Sequence, residues 1–422
     1  MKWSQSTLGE IVANDRGLVQ TGPFGSQLHQ SDYTEEGTPL IMPTNISDGR
    51  VSVDGIARVS EETADRMARH KLKPRTIVLP RRGEITKRAF IREDQEDWLC
   101  GSGCLKIEVH DTEVVPEYLY YFMATHETGQ WLEQHAVGST MLNLSAGIVN
   151  EMPVLYPSKK VQGRIAETLI AYDDLIENNR RRMVLFEESA RLLYREWFVR
   201  LRFPGHEHSR IVSGVPEGWR GRMLEEVCEN GNGIHGIQTG PFGSQLHQSD
   251  YSDEGVPVVM PKDLIGFRIV TEGIARIPET LADSLGRHRM MYGDTVYGRR
   301  CDIGRRAFIS KRQVGWFCGT GCLRIRPDPK EVNPRYLFDT LGTSETAGTI
   351  ANRAKGATML NLNGRVLQSV PVTIASRQLQ ELYAQQIESI DELIETLALQ
   401  NQKLRTARDL LLPKLMSGAI EV

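Results

Sequence analysis

Gln20-Thr21-Gly22-Pro23-Phe24-Gly25-Ser26-Gln27-Leu28-His29-Gln30-Ser31-Asp32-Tyr33 recurs, residue for residue, as Gln238 to Tyr251. The spacing is 218 residues (238 − 20), about half of the 422-residue chain. Fourteen identical positions make this an internal duplication. The same offset persists beyond the stretch. Gly55 to Arg58 returns as Gly273 to Arg276, and Arg88 to Ile91 as Arg306 to Ile309. Trp98, Cys100, Gly101, Gly103, Cys104 and Leu105 return as Trp316, Cys318, Gly319, Gly321, Cys322 and Leu323. Thr140 to Leu144 matches Thr358 to Leu362, and Pro153-Val154 matches Pro371-Val372. The repeat is roughly 150 residues, the size of a globular domain and not of a solenoid unit. Two copies of one domain are expected.

Within each copy, Gly/Pro/Asp/Ser-rich turns alternate with short β-like runs such as Thr76 to Leu79 and Leu105 to Val109. Helical patterns occupy Glu61 to Arg69 and Glu117 to Gln134. The domain reads as α+β. A lead-in, Trp3 with Leu8-Gly9-Glu10, is echoed by Trp219 with Leu224-Glu225-Glu226.

After each copy the period changes. Ile165, Leu169, Tyr172, Ile176, Asn179, Met183, Phe186, Ala190, Leu193 and Trp197 follow a 4-3-4-3 spacing, a heptad seam. Asn179 is a polar residue on that seam, a usual device for fixing register. Leu379, Tyr383, Gln386, Ile390, Leu393, Leu397, Gln400, Leu404, Ala407 and Leu411 repeat the pattern. Pro204-Gly205 and Pro413 are expected to end the two helices. At 1.5 Å per residue each is about 50 to 60 Å long. Two matching seams in one chain predict an antiparallel intramolecular coiled coil with pseudo-twofold symmetry. The packing residues are Ile165, Leu169, Tyr172, Ile176 and Leu193 on the first helix, and Ile390, Leu393, Leu397 and Leu404 on the second. The boundaries predicted are 1–158 and 205–374 for the two domains, 159–204 for the first spacer helix, and 375–422 for the second with its tail.

Composition narrows the class. Forty per cent apolar and 25% charged residues describe an average globular protein. No run approaches the roughly 18 apolar residues of a membrane span, and the N-terminus lacks a signal-peptide core. A cytoplasmic protein with reduced cysteines is expected. Cys100/Cys104 and Cys318/Cys322 flank glycines that suit a turn into a strand, and nothing nearby completes four zinc ligands. The net charge of −3 argues against a protein that coats nucleic acid unaided. Local basic clusters leave a smaller contact open.

No catalytic signature appears. Gly22 to Ser26 lacks the Lys-Ser/Thr ending of a phosphate-cradling loop, and no G-x-S-x-G, H-E-x-x-H or dinucleotide fingerprint is present. Two similar heads in one chain instead suit a reader of bipartite DNA. Arg81-Arg82 with Lys87-Arg88, matched by Arg299-Arg300 with Arg305-Arg306, puts cations at a turn, where they suit phosphate or guanine contact or a solvated hairpin. The Gly22 to Gln27 loop reads as a tight turn seating Phe24 in the core, or as a glycine-mediated approach to phosphate.

The chain resembles the specificity subunit (HsdS) of type I restriction-modification systems. The resemblance covers essentially the whole chain. It rests on the lead-in, the duplicated stretch, Gly138 to Met141 with Asn143-Leu144, Val215-Pro216-Glu217-Gly218-Trp219, and Leu410 to Gly418. It implies two target-recognition domains, each reading half of a split double-stranded DNA sequence, with the helices as spacer. It implies no chemistry in this chain: two modification subunits would bind S-adenosylmethionine and methylate adenine, and restriction subunits would use ATP. The alternative is a scaffold or adaptor whose repeats bind protein and not DNA. Positions that differ between copies in exposed loops are candidate base readers, chiefly Thr44 to Gly49, with Asn45, against Lys262 to Phe267, with Lys262 and Asp263. Thr140, Asn143, Thr358 and Asn361 are candidate DNA contacts.

Overall fold

The computed structural model describes residues 3–421, except 25–26, 139–140, 213, 232–233, 243–244, 300–302 and 355–361. The chain divides into two compact units: Met1–Asn179 with Leu399–Val422, and Arg180–Ala398. Each unit therefore contains one domain plus a half of each long helix, so the units cut across the spacer helices that the sequence suggests.

Both domains have one topology. In the first, strands Leu18–Thr21, Cys104–Glu108, Ile77–Pro80 and Ala89–Phe90 form an antiparallel sheet in that order. In the second the order is Ile237–Thr239, Cys322–Ile325, Thr295–Gly298 and Arg306–Phe308. A second sheet in each contains a parallel pair, Leu40-Ile41 with Leu99-Cys100 and Val258-Val259 with Phe317-Cys318. The predicted helix at 117–134 is two helices, Pro116–Phe122 and His126–His135. Thr125 makes the break: its hydroxyl accepts the Thr128 N–H and starts a new helix as a side-chain cap. The cysteine pairs bracket a turn, with the Cys104 N–H donating to the Gly101 carbonyl at 3.0 Å. Burial pushes the Cys100 and Cys318 thiols up to about 12, which keeps them protonated and inert.

Lys159–Tyr194 forms the first long helix, finished by a π-helical turn at Arg195–Val199. Arg377–Met416 forms the second, which runs through Pro413 instead of ending there. Within the first unit, Ile165 and Leu169 share a core with Leu415 and Met416, while Asn179 meets Asn401. Within the second, Ala190 and Tyr194 lie with Tyr383, while Met183 lies with Ile394 and Leu397. The helices are antiparallel in both units.

The first seam is largely as spaced: Ile165, Leu169 and Ile176 are buried, Tyr172 half-buried, and Leu193 packs at the edge of the second core. The second seam is shifted. Leu393 is 44% exposed, and Ile394 takes the buried place beside Leu397; Ile387 likewise replaces Gln386, and Asn401 replaces Gln400. Ile390 and Leu404 are half-buried. The physical reason is a local 4-4-3 spacing from Leu379 through Tyr383 and Ile387 to Ile390. That is an undistorted helix turning past the heptad.

Asn179 Nδ2 donates to Asn401 Oδ1 at 2.9 Å, and Asn401 Nδ2 donates to the Ile176 carbonyl at 3.1 Å. Asn179→Leu should destabilise the first unit by about 1–3 kcal/mol, because the Asn401 carbonyl stays buried without its donor. Hydrogen exchange across residues 165–179 should speed up accordingly, and Asn179→Leu with Asn401→Leu should recover most of the loss. Unchanged protection in the single variant would refute this account.

Candidate nucleic-acid interface

The duplicated stretch folds into an exposed loop on a tight stem. Gly22 donates its N–H to the Cys104 carbonyl at 2.9 Å, and a Cβ there would lie 1.9 Å from the Gly101 carbonyl oxygen. Gly240 repeats both features, with 2.0 Å to the Gly319 oxygen. Only glycine fits so close a backbone approach.

Phe24 is not in the core. It is 50% exposed, and Phe242 is 45% exposed. Each ring is backed by an arginine: the Arg81 guanidinium stands 4.5 Å from the Phe24 centroid, and Arg299 stands 4.5 Å from that of Phe242. These arginines are almost wholly covered, at 8% and 7%. Burial and the neighbouring Arg82 charge lower the Arg81 pKa from its usual value. The main chain fixes both. Arg81 N–H donates to the Gly103 carbonyl and Arg299 N–H to Gly321, while Leu144 and Leu362 donate back to the two arginine carbonyls. Arg81 also donates to Asn143 Oδ1 at 3.4 Å, and Arg299 Nε to the Leu362 carbonyl at 3.3 Å. The structure thus joins three segments that the sequence kept apart: the repeated loop, the arginine turn and the Asn143 segment. Asn143 in turn exchanges both backbone hydrogen bonds with Val137.

Further cations rim this loop. Arg69 Nη2 donates to Gln27 Oε1 at 3.0 Å, and its Nε donates to His70 Nε2 at 3.0 Å. Burial, then the Arg69 charge, push the His70 pKa down to about 4, so its Nε2 remains an acceptor at neutral pH. Arg287 and His288 repeat the pair at 3.1 Å. Arg82 and Arg305 are exposed, as is Lys262. Lys87 is held by an ion pair with Glu84. Thr140, Arg300, Thr358 and Asn361 lie outside the described residues.

Several expected contacts serve the fold instead. Arg88 and Arg306 turn inward. Arg88 Nε donates to the Tyr120 carbonyl at 2.9 Å with its guanidinium 4.9 Å from that ring, and Arg306 makes the matching bond to Phe338 at 3.4 Å. Burial lowers both pKa values. Asn45 and Asp263 are buried turn caps, accepting the N–H groups of Met42 and Met260 at 3.0 and 2.8 Å. Their divergence conserves one job, since a carboxylate and an amide oxygen accept alike.

The divergent hairpins after them also face the helices. In the first unit, Arg50 pairs with Glu177 and Asp48 with Arg405 at 3.1 Å. In the second, Arg268 pairs with Glu187 at 2.5 Å, and Phe267 lies under Arg191 at 4.9 Å. These divergent hairpins are tied to the long helices within each unit, a packing role the sequence did not indicate. Sequence reasoning passed over Phe24 and Phe242, although an aromatic in an identical stretch was the available signal.

Among the described residues no group of His, Cys, Asp or Glu could hold a metal ion, and no helix is long and apolar enough to cross a membrane. The architecture is that of a duplicated protein that presents one arginine-backed aromatic loop in each unit. Comparison with known proteins agrees. Residues 3–184 match the family described as the type I restriction modification DNA specificity domain. The chain is 23% identical over 319 residues to the type I restriction enzyme MjaIX specificity subunit of Methanocaldococcus jannaschii, covering 73% of this chain and 70% of that one. It is 20% identical over 398 residues to the HindI specificity subunit of Haemophilus influenzae, covering 78% and 83%. The S subunit of a type I restriction-modification system from M. genitalium shares the fold, with a TM-score of 0.52 at 15% identity over 98% of this chain and 96% of that chain. The chain is thus similar to type I specificity subunits over most of its length, and residues 3–184 carry the match to their DNA specificity domain.

Proposed function

We propose that each unit reads one half of a bipartite DNA target, and that the chain delivers this specificity to modification subunits that carry the methyl-transfer chemistry. The observation that carries the reading is the duplicated loop, with the same exposed aromatic, buried arginine and arginine–histidine pair in both units. Arg69, Arg82, Arg287, Arg305 and Lys262 supply phosphate contacts, which position a protein without specifying sequence. The chain itself performs no reaction; S-adenosylmethionine and ATP belong to its partners. Docking of two modification subunits is supported by apolar side chains left in solvent on the long helices, Leu175 and Leu410 in the first unit and Leu185 and Leu393 in the second. The helices set the gap between half-sites, and any restriction subunits join through the same assembly in the cytoplasm.

Genome-wide mapping of N6-methyladenine, in the host and in a strain lacking this gene, tests the assignment. The expected result is loss of methylation at one split motif. If every motif persists while the modification subunit is active, the DNA-reading role is refuted and a protein-binding adaptor takes its place.

A further inference from the structure

We infer that Phe24 and Phe242 are DNA-inserting wedges, one per unit, each entering a base step of its own half-site. This rests on the DNA-reading assignment and adds the physical means of contact.

The rings are exposed where burial is the default for phenylalanine, and both copies keep them so. Each is also held by contacts at its base. Gln27 N–H donates to the Phe24 carbonyl at 3.1 Å, and Gln245 repeats the bond to Phe242 at 3.1 Å. The stem glycines lock the loop base, and the arginine behind each ring fixes its orientation through a cation–π contact. Arg81 Nε has no hydrogen-bond partner among the described residues, so the ring is one of that guanidinium's principal partners. In the first unit the segment that carries Asn143 has two more exposed large apolar side chains, Val137 and Met141, at 68% and 62% exposure. Asn143, which binds Arg81, ties that segment to the loop. Arg69 binds Gln27 of the loop, and Arg82 bridges Asn143 through its backbone.

A base step is the complement of this surface. It is an apolar slot between stacked bases, bordered on each strand by phosphates. Proteins that unstack a step use such an apolar wedge, with cations on the flanking backbone. A rigid ring costs little conformational entropy on insertion, and its backing cation strengthens the stack. Because the loop sequence and the arginine behind each ring are the same in both units, the two half-sites should be opened at equivalent steps, and these should be steps that unstack readily.

The test uses the full chain assembled with its modification subunits. The probe is a duplex carrying the methylome-mapped target, with 2-aminopurine placed at one position at a time. Wild type should raise 2-aminopurine fluorescence at one step in each half. Phe24→Ala should abolish the rise in one half only and weaken binding tenfold or more, and Phe242→Ala should do the same in the other half. Phe24→Leu, still a wedge, should retain most of both signals. Since the rings are exposed, the variants should keep the wild-type melting profile. Unchanged fluorescence and affinity in Phe24→Ala would overturn the wedge, as would intact DNA binding with loss of subunit assembly. A wild-type complex that binds its mapped duplex no better than random DNA would overturn the DNA-reading assignment itself, and the wedge with it.

Discussion

Arg81→Ala combined with Arg299→Ala is expected to weaken target binding of the assembled complex by about 2–6 kcal/mol, about 1–3 kcal/mol for each half-site. On the proposed DNA-reading role, both arginines would act through the ring they back and through their charge beside the DNA. Arg81→Met separates the two effects, because a methionine fills the space under Phe24 without a cation. If charge dominates, Arg81→Met should resemble Arg81→Ala, and the slope of log affinity against log salt should fall by about 1 for each lost phosphate contact. If the ring dominates, methionine should restore much of the affinity. Binding titrations at several salt concentrations decide between them. A double variant that binds like wild type at every salt concentration would remove the arginine turn from the interface. Arg88→Ala is the contrasting control: its guanidinium holds the Tyr120 carbonyl, so it should lower stability before it alters target choice.

The second large effect is structural and belongs to the second unit. Asp339 Oδ2 accepts both the Tyr383 hydroxyl, at 2.6 Å, and Arg335 Nη1, at 2.7 Å, and Arg335 Nε donates to Asp391 at 2.8 Å. The cluster is largely buried and ties the helix Pro334–Thr340 to the second long helix. Asp339→Ala should cost about 3–5 kcal/mol, because removing one member of a buried ionic network strands the others. The unit should then melt earlier, and exchange at 377–394 should rise. Asp339→Asn, which still accepts the tyrosine hydroxyl, should cost less. If Asp339→Ala melts like wild type, the network does not hold that joint. The first unit builds its joint differently: Tyr121 donates to Asp173 at 2.6 Å, and Arg408 pairs with Asp173 at 2.5 Å.

The duplication and the two helices were legible because they are periodic signals, and periodicity survives in a single sequence. The α+β class followed from alternating turns and short apolar runs. The shift from Leu393 to Ile394 was not legible: adjacent apolar residues both satisfy a heptad, and three-dimensional packing chooses between them. The site was half legible. Arg81 and Arg299 were marked by their charge, but charge does not say which way a side chain turns, so Arg88 and Arg306 were indistinguishable from them. The difference between Asn45 and Asp263 looked like altered specificity, yet both cap the same turn. Phe24 was missed because hydrophobicity argues for burial, and only an aromatic kept identical in both copies spoke against it.

One consequence of the unit boundaries concerns synthesis on the ribosome. The second unit is a contiguous stretch, Arg180–Ala398, whereas the first needs Leu399–Val422, with Leu415 and Met416 in its core. The half of the chain made first is therefore the last to close. At about 5–20 residues per second, the nascent first unit waits roughly 10–45 s for its final segment, its helix-facing surface uncovered. An early stop codon near the end of the gene would spoil the oldest part of the molecule.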